Sequence, residues 1–217
     1  MEQIKSSILL IDDHPMLRNG VKQLINTVNH FEVVGETGLG TEGIKLAEKL
    51  EPEIILLDIN IHGMSGLEIL RYLREKNISS RIIMFTVSDD KEDIISALKN
   101  GADGYLLKDM EPEDFLNALK DIAEGKVIMD EAISHIIINY MRQSTKPQTK
   151  QIHDVKLLTP REHEIFNLLV QGLSNKLIAK DLDIVESTVK VHVKSIFKKL
   201  NFKSRMEMTV WYLQSKE

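Results

Sequence analysis

The chain has 217 residues and a formal charge of −5, from 28 Lys plus Arg against 33 Asp plus Glu. Apolar residues at 42% and charged residues at 28% match a folded globular chain and exclude wholesale disorder. Cysteine is absent, which excludes disulfides, zinc-thiolate and iron–sulfur ligation, and thiol nucleophiles.

No run approaches the ~18 apolar residues that a membrane span needs. No secretory leader is expected at the first residues, Met1 to Lys5. A cytoplasmic, non-membrane setting is expected. The charge is segregated along the chain. Residues 1–130 hold 14 Lys/Arg and 24 Asp/Glu, a net of −10; residues 131–155 carry +1; residues 156–217 hold 11 and 7, a net of +4. An acidic front and a basic tail predict two domains with different partners, the tail being the candidate for a polyanion.

In chain order, apolar β-branched runs at 8–12, 31–36, 54–58, 81–87 and 104–107 read as strands. Helical patterns near 15–28, 40–50, 66–77, 90–100 and 112–124 follow them in turn. The unbroken Ile54-Ile55-Leu56-Leu57 fits a strand covered on both faces, as in a parallel sheet. Five strand–helix repeats predict an α/β doubly wound five-stranded parallel sheet over residues 1–128. Its ligand site is expected at the carboxyl ends of the strands. Residues 129–154 read as a connecting helix at 131–142 and a polar linker at 143–151. Residues 155–217 read as an all-α unit of four short helices. Thr159-Pro160-Arg161-Glu162 offers a capping box, Ser174 caps the second helix, and the third runs from about 187 to 200. Ser204-Arg205-Met206-Glu207 repeats the capping-box pattern before the fourth. A basic four-helix unit of about 60 residues points to a helix-turn-helix module.

Three carboxylates fall where strands should end: Asp12 and Asp13 after the first, Asp58 after the third. Parallel strands bring such residues to one edge. Clustered carboxylates raise one another's pKa unless a cation neutralises them, and a few hard oxygens suit Mg²⁺. Thr86 ends the fourth strand and Lys108 follows the fifth, a hydroxyl and an ammonium that complement a phosphoryl group. The chemistry implied is phosphoryl transfer onto a carboxylate.

Ile11-Asp12-Asp13-His14-Pro15, Leu57-Asp58 followed by Gly63-Met64-Ser65-Gly66, Thr86, and Gly101-Ala102-Asp103-Gly104-Tyr105-Leu106-Leu107-Lys108 resemble the receiver domain of a two-component response regulator. The resemblance covers about residues 6–125. It implies that Asp58 is the phosphoacceptor and that Asp12, Asp13, Asp58 and the backbone carbonyl of Asn60 hold Mg²⁺. It implies too that Thr86 and Lys108 bind the phosphoryl group, with Tyr105 as the aromatic switch. Many receivers carry Pro where this chain has His62. The residue reads as a solvated loop histidine, with a small effect expected on loop rigidity and phosphoryl lifetime.

In the tail, Lys190, Lys194 and Lys198 share one flank of the third helix, opposite a buried stripe of Val189, Val193, Ile196 and Leu200. Val191 between the lysines suits a thymine methyl, and Ser187 and Thr188 sit where a helix N-terminus binds phosphate. Leu158-Thr159-Pro160-Arg161-Glu162, Gly172-Leu173-Ser174-Asn175-Lys176 and Ser187-Thr188-Val189-Lys190-Val191 resemble the LuxR-type helix-turn-helix. Receiver plus this module is identified as a member of the NarL/FixJ family, similar to its nitrate- and nitrite-responsive members. The resemblance implies base contacts from Lys190, Val191 and Lys194. Lys176, Thr188 and Val189 would lie near the phosphate backbone, and Val210 and Trp211 on a dimerisation surface. It further implies a sensor histidine kinase, a homodimer on double-stranded DNA when phosphorylated, and a recognition helix covered until then. Two other readings compete. A phosphatase of the haloacid-dehalogenase type also uses an Asp after a parallel strand, but wants a second Asp where this chain has Asn60. A phosphorylation-independent DNA binder would not need the intact Asp12, Asp13, Asp58, Thr86 and Lys108 set.

Overall fold

Two cores follow from the charge boundary, and a computed structural model describes them over residues 5–126 and 153–215. The expected connecting helix and linker at 131–151 lie outside the described residues. In the front domain β1 (Ser6–Ile11), β2 (Phe31–Thr37), β3 (Ile54–Leu57), β4 (Arg81–Thr86) and β5 (Gly104–Leu107) pair in parallel, in the order β2-β1-β3-β4-β5. They alternate with α1 (Pro15–Asn26), α2 (Gly40–Leu50), α3 (Gly66–Glu75), α4 (Lys91–Lys99) and α5 (Pro112–Glu124). Successive strand residues face opposite layers. Ile55, Leu57, Ile82 and Met84 pack with Ile69, Leu70 and Leu73 of α3. Ile54, Leu56, Ile83 and Phe85 pack with Phe115, Leu119 and Ile122 of α5. This two-sided burial, about 1.5–3 kcal/mol for each large aliphatic side chain, is why the strands read as continuous apolar runs.

Three strands stop one residue before the expected end, because a side chain there bonds its own main chain two residues on. Asp12 Oδ1 accepts from the His14 N–H at 2.8 Å, Asp58 Oδ1 from Asn60 at 3.3 Å, and Thr86 Oγ1 from Ser88 at 3.3 Å. The strand order reverses between β1 and β3, so Asp12, Asp13 and Asp58 flank the switch-point crevice. Gly66 lets α3 begin directly against Asp58. A Cβ there would stand 1.9 Å from the Asp58 carbonyl oxygen, so only glycine fits. Ser65 and Glu68 close a capping box on that helix.

The tail domain holds a short 3₁₀ turn (Val155–Leu157) and α6 (Pro160–Val170), α7 (Asn175–Asp181), α8 (Glu186–Leu200) and α9 (Arg205–Gln214). They enclose Phe166, Ile178, Val193, Ile196, Leu200 and Met208. The Thr159–Glu162 capping box forms as expected. The second box forms only by half. Ser204 accepts from the Glu207 N–H, but the Glu207 carboxylate accepts from Lys203 instead of Ser204. Among the described residues no helix is long and apolar enough to cross a membrane.

Candidate functional site

The carboxyl edge of the sheet brings the expected pocket together. Asp58 is 2% exposed and Asp12 6%. Lys108 Nζ sits between them, 2.6 Å from Asp58 Oδ2 and 2.7 Å from Asp12 Oδ2. An ammonium buried with two carboxylates leaves a net negative pocket, the condition that draws in a cation. Ligand atoms of Asp12, Asp13, His14 and Asp58 all lie within 4.8 Å of one another. Asp13 Oδ1 is buried and accepts no hydrogen bond, so the donor set fits a divalent cation, with Asp12, Asp13 and Asp58 as its oxygen ligands. Asn60 is exposed on the loop that lines the same recess.

Two histidines stand closer to this pocket than the sequence indicates. His62 Nδ1 lies 2.8 Å from Asp13 Oδ2, and His14 Nδ1 lies 2.9 Å from Asp13 Oδ1. Burial pushes the Asp13 carboxyl up, but the His62 hydrogen bond and the charge of His14 outweigh it and hold the group below its ordinary range. His62 is therefore a loop residue that touches the site.

Thr86 is fully buried at the end of β4. Its hydroxyl accepts from the Ser88 N–H, and the Ser88 carbonyl in turn accepts from Tyr105 Oη at 2.7 Å. The Tyr105 ring is buried in the core, and burial raises its phenol well above the ordinary value. Thr86 and Tyr105 are thus joined through one residue, Ser88.

The tail domain docks on the opposite, amino edge of the sheet, and its lysines carry much of the contact. Lys190 Nζ donates to the Glu51 carbonyl at 2.7 Å, and Lys194 pairs with the Glu51 carboxylate. Lys176 donates to the Lys5 carbonyl and lies 3.6 Å from Glu53. Val191 is exposed, Thr188 is half-buried, and the Val189 side chain is fully buried, so only its main chain could approach a phosphate. Val210 is half-buried. Trp211 packs on Phe202 and edge-on to His153 within its own domain.

Behind the lysines lies a buried polar seam. Asp103, just before β5, accepts from Arg74 and the Ile82 N–H on Oδ2. Its Oδ1 accepts from the Arg205 and Met206 N–H groups at 3.0 and 3.3 Å. It thus caps α9 across the domain boundary, beside the half-formed Ser204 box. Arg81 donates to the Gly172 carbonyl at 3.0 Å. Glu51, Glu53, Arg81, Asp103 and Arg205 carried no sequence signal for this role, because a docking surface has no periodicity. Asp103 and Arg205 lay inside recognisable motifs, but motifs read for other roles.

Residues 8–120 match the family model described as response regulator receiver domain, and residues 156–212 match bacterial regulatory proteins, luxR family. The chain is 54% identical to the nitrate/nitrite response regulator protein NarL of Escherichia coli K12, over 99% of this chain and 98% of that protein. It is 41% identical to the nitrate/nitrite response regulator protein NarP of the same strain, over 96% of this chain and 95% of that protein. Among solved structures it is similar to the signal receiver domain of a Mycobacterium tuberculosis response regulator named NarL. That match has a TM-score of 0.55 and 30% identity, over 57% of this chain and 99% of the other.

Proposed function

The chain belongs to the response regulators that carry a luxR-type DNA-binding domain behind a receiver, and on that premise we propose that it is a transcription regulator switched by phosphorylation of Asp58. The boundaries we assign are a receiver at 1–128, a connector at 129–154 and the DNA-binding domain at 155–217. In the cytoplasm, a carboxylate oxygen of Asp58 attacks the phosphorus of a phosphohistidine on a sensor histidine kinase. A P–O bond forms, the P–N bond breaks, and its electron pair leaves with the imidazole. Mg²⁺ held by Asp12, Asp13, Asp58 and the Asn60 carbonyl would neutralise charge on the transferred group. Lys108 exchanges Asp58 for a phosphoryl oxygen. Thr86 turns its hydroxyl to the phosphoryl group and gives up the Ser88 N–H. That frees the Ser88 turn, whose carbonyl anchors Tyr105. Tyr105 lies on β5, and the residue preceding β5 is Asp103, the cap on α9.

Release of the tail domain exposes Lys190, Val191 and Lys194 to base edges, and Lys176, Thr188 and the Val189 main chain to phosphates. Val210 and Trp211 of α9 pair two copies on adjacent half-sites. Similarity to regulators named for nitrate and nitrite supports a role in gene control responsive to those anions. One observation carries the reading: Lys176, Lys190 and Lys194, three of the six expected DNA contacts, are held by receiver atoms. DNA selected from a random pool, with and without a small phosphodonor, tests it. Wild type should bind tightly only with donor, fragment 150–217 should bind without it, and Asp58→Asn should take up no phosphate. A fragment that binds no better than the unphosphorylated chain would end the autoinhibition reading.

A further inference from the structure

Among the described residues, three buried guanidiniums meet in the seam between the domains, and two buried carboxylates answer them. Arg74, Arg81 and Arg205 are each more than nine-tenths buried, as are Asp103 and Glu53. One positive charge is left over, and Lys176, 3.6 Å from Glu53, adds another at the edge. Asp103 has no acceptor site to spare, because its two oxygens already accept four hydrogen bonds. Arg205 gives Nη1 to the Leu173 carbonyl and Nη2 to Asn175 Oδ1, but its Nε is buried without an acceptor. Arg81 gives one Nη to the Ile122 carbonyl and the other to the Gly172 carbonyl, which leaves a hydrogen on each. An unmatched buried charge and an unpaired buried donor are both unfavourable where water is excluded. Burial and the charge of Arg81 already push the Arg205 guanidinium down to about 9.

A cavity lies against these groups. Arg81, Arg205 and Asp103 line it, Glu53 does not, and it offers about 20 Å³ to the centre of a water-sized sphere. One water needs about 10–15 Å³ by that measure, so a single small guest fits and a bulky oxyanion such as sulfate does not. A neutral water would leave the extra positive charge in place, whereas a monovalent anion removes it.

We propose that the seam binds one small monovalent anion of the halide class, chloride in practice, between Arg81 of the receiver and Arg205 of the tail, and that chloride thereby holds the unphosphorylated chain closed. The two donors belong to different domains, so separation pulls them apart, hydrates both and releases the ion. A ligand of the closed form alone favours that form, and by reciprocity opening lowers its affinity. The inference rests on the docked arrangement and not on Asp58 as the phosphoacceptor.

The test uses the unphosphorylated full chain at fixed ionic strength, with chloride replacing gluconate, an anion too bulky for the cavity. ³⁵Cl NMR should show excess line broadening that saturates and that bromide displaces. Asp103 covers the Arg205 and Met206 N–H groups only in the closed form. Their hydrogen exchange should slow about tenfold once chloride stands at ten times its dissociation constant. Arg205→Gln removes the extra charge, and Thr209→Leu fills the cavity from another of its walls while leaving every guanidinium in place. Both variants should lose the saturable broadening. Broadening that rises without saturation marks an adventitious ion only and overturns the proposal. Equal exchange in the two salts, or a saturable signal that survives in either variant, overturns it too. Each of these leaves the phosphorylation reading intact. N–H groups that exchange freely in both salts would overturn the docked arrangement along with it.

Discussion

Gly125 and Gly172 decide how closely the two domains can meet. Gly125 follows α5 at φ +97 and Gly172 follows α6 at φ +90, with their main chains in contact across the seam. A Cβ added at Gly125 would stand 1.4 Å from the Gly172 carbonyl oxygen. Ordinary contact begins near 3.4 Å, so Gly125→Ala must part the domains by roughly 2 Å. The obstructing atom is main chain and cannot rotate away. Three hydrogen bonds cross beside it, from Arg81 to Gly172 and from the Arg205 and Met206 N–H groups to Asp103. None spans an extra 2 Å, and at about 0.5–1.5 kcal/mol each their loss costs about 2–4 kcal/mol. That is roughly a 30- to 1000-fold shift towards the open form. The left-handed backbone costs the receiver itself about 1–2 kcal/mol with alanine, so phosphate uptake by Asp58 serves as the check on its fold. Fluorescence anisotropy on DNA selected by fragment 150–217 should show unphosphorylated Gly125→Ala binding nearly as tightly as the fragment. A variant that takes phosphate normally but still needs it to bind DNA would refute the reasoning.

Lys108→Met strips the cation from two buried carboxylates and should destabilise the receiver by about 3–5 kcal/mol. Added Mg²⁺ should then raise its melting temperature more than it raises that of wild type; an equal rise would count against the pocket assignment. Glu162 is buried, which pushes its carboxyl up, but bonds from Lys199, Ser195 and Thr159 bring it down to about 2. A carboxylate depressed in the folded state stabilises above its unfolded pKa near 4.5 and loses that contribution as pH falls towards 2. Glu162→Gln should therefore cost about 3 kcal/mol at pH 7 and less than half of that near pH 3, the difference closing only below the folded pKa, in paired thermal melts. Lys190→Ala and Lys194→Ala should each reduce the salt slope of DNA binding by the phosphorylated protein by about one, and unchanged slopes would remove them from the interface.

Much of the site was legible because its residues are tied to strand ends. Continuous apolar runs locate β1, β3, β4 and β5, and a parallel sheet delivers Asp12, Asp58, Thr86 and Lys108 to one edge whatever the loops do. Capping boxes likewise follow from four adjacent residues, as at Thr159–Glu162. What stayed hidden depends on contacts between distant segments. His62 is solvated as its neighbours suggest, its side chain 94% exposed, and only the folded β3–α3 loop shows that its ring also meets Asp13. The Ser204 box was expected whole, but the Glu207 carboxylate turns to the Lys203 N–H, and Asp103, 101 residues earlier in the chain, takes two further N–H groups at that helix start. Glu51 and Glu53 look like ordinary surface acids flanking Pro52 until the tail lysines are seen on them.

Net charge alone would describe domain docking as an acidic body meeting a basic one, and the seam shows why that is too simple. The receiver brings Arg74 and Arg81 to the same edge as Glu51, Glu53 and Asp103, and the tail adds a buried Arg205. Burial and the neighbouring Arg81 push the Arg205 guanidinium down to about 9, so holding its charge there is unfavourable although it remains protonated at neutral pH. Both Glu53 oxygens are buried without a hydrogen bond. An apolar interface of similar extent would close more tightly, because buried charge pairs barely repay their desolvation. The polar seam gives a docked state held by a few directional bonds, chiefly those on Asp103, and opposed by crowded cations. A switch needs that balance. Two states within a few kcal/mol respond to one phosphoryl group, and an arrangement closed by hydrophobic burial would not. Asp103 is the point where the balance is open to bias, since the strand that carries Tyr105 begins at the next residue and α9 begins on its carboxylate.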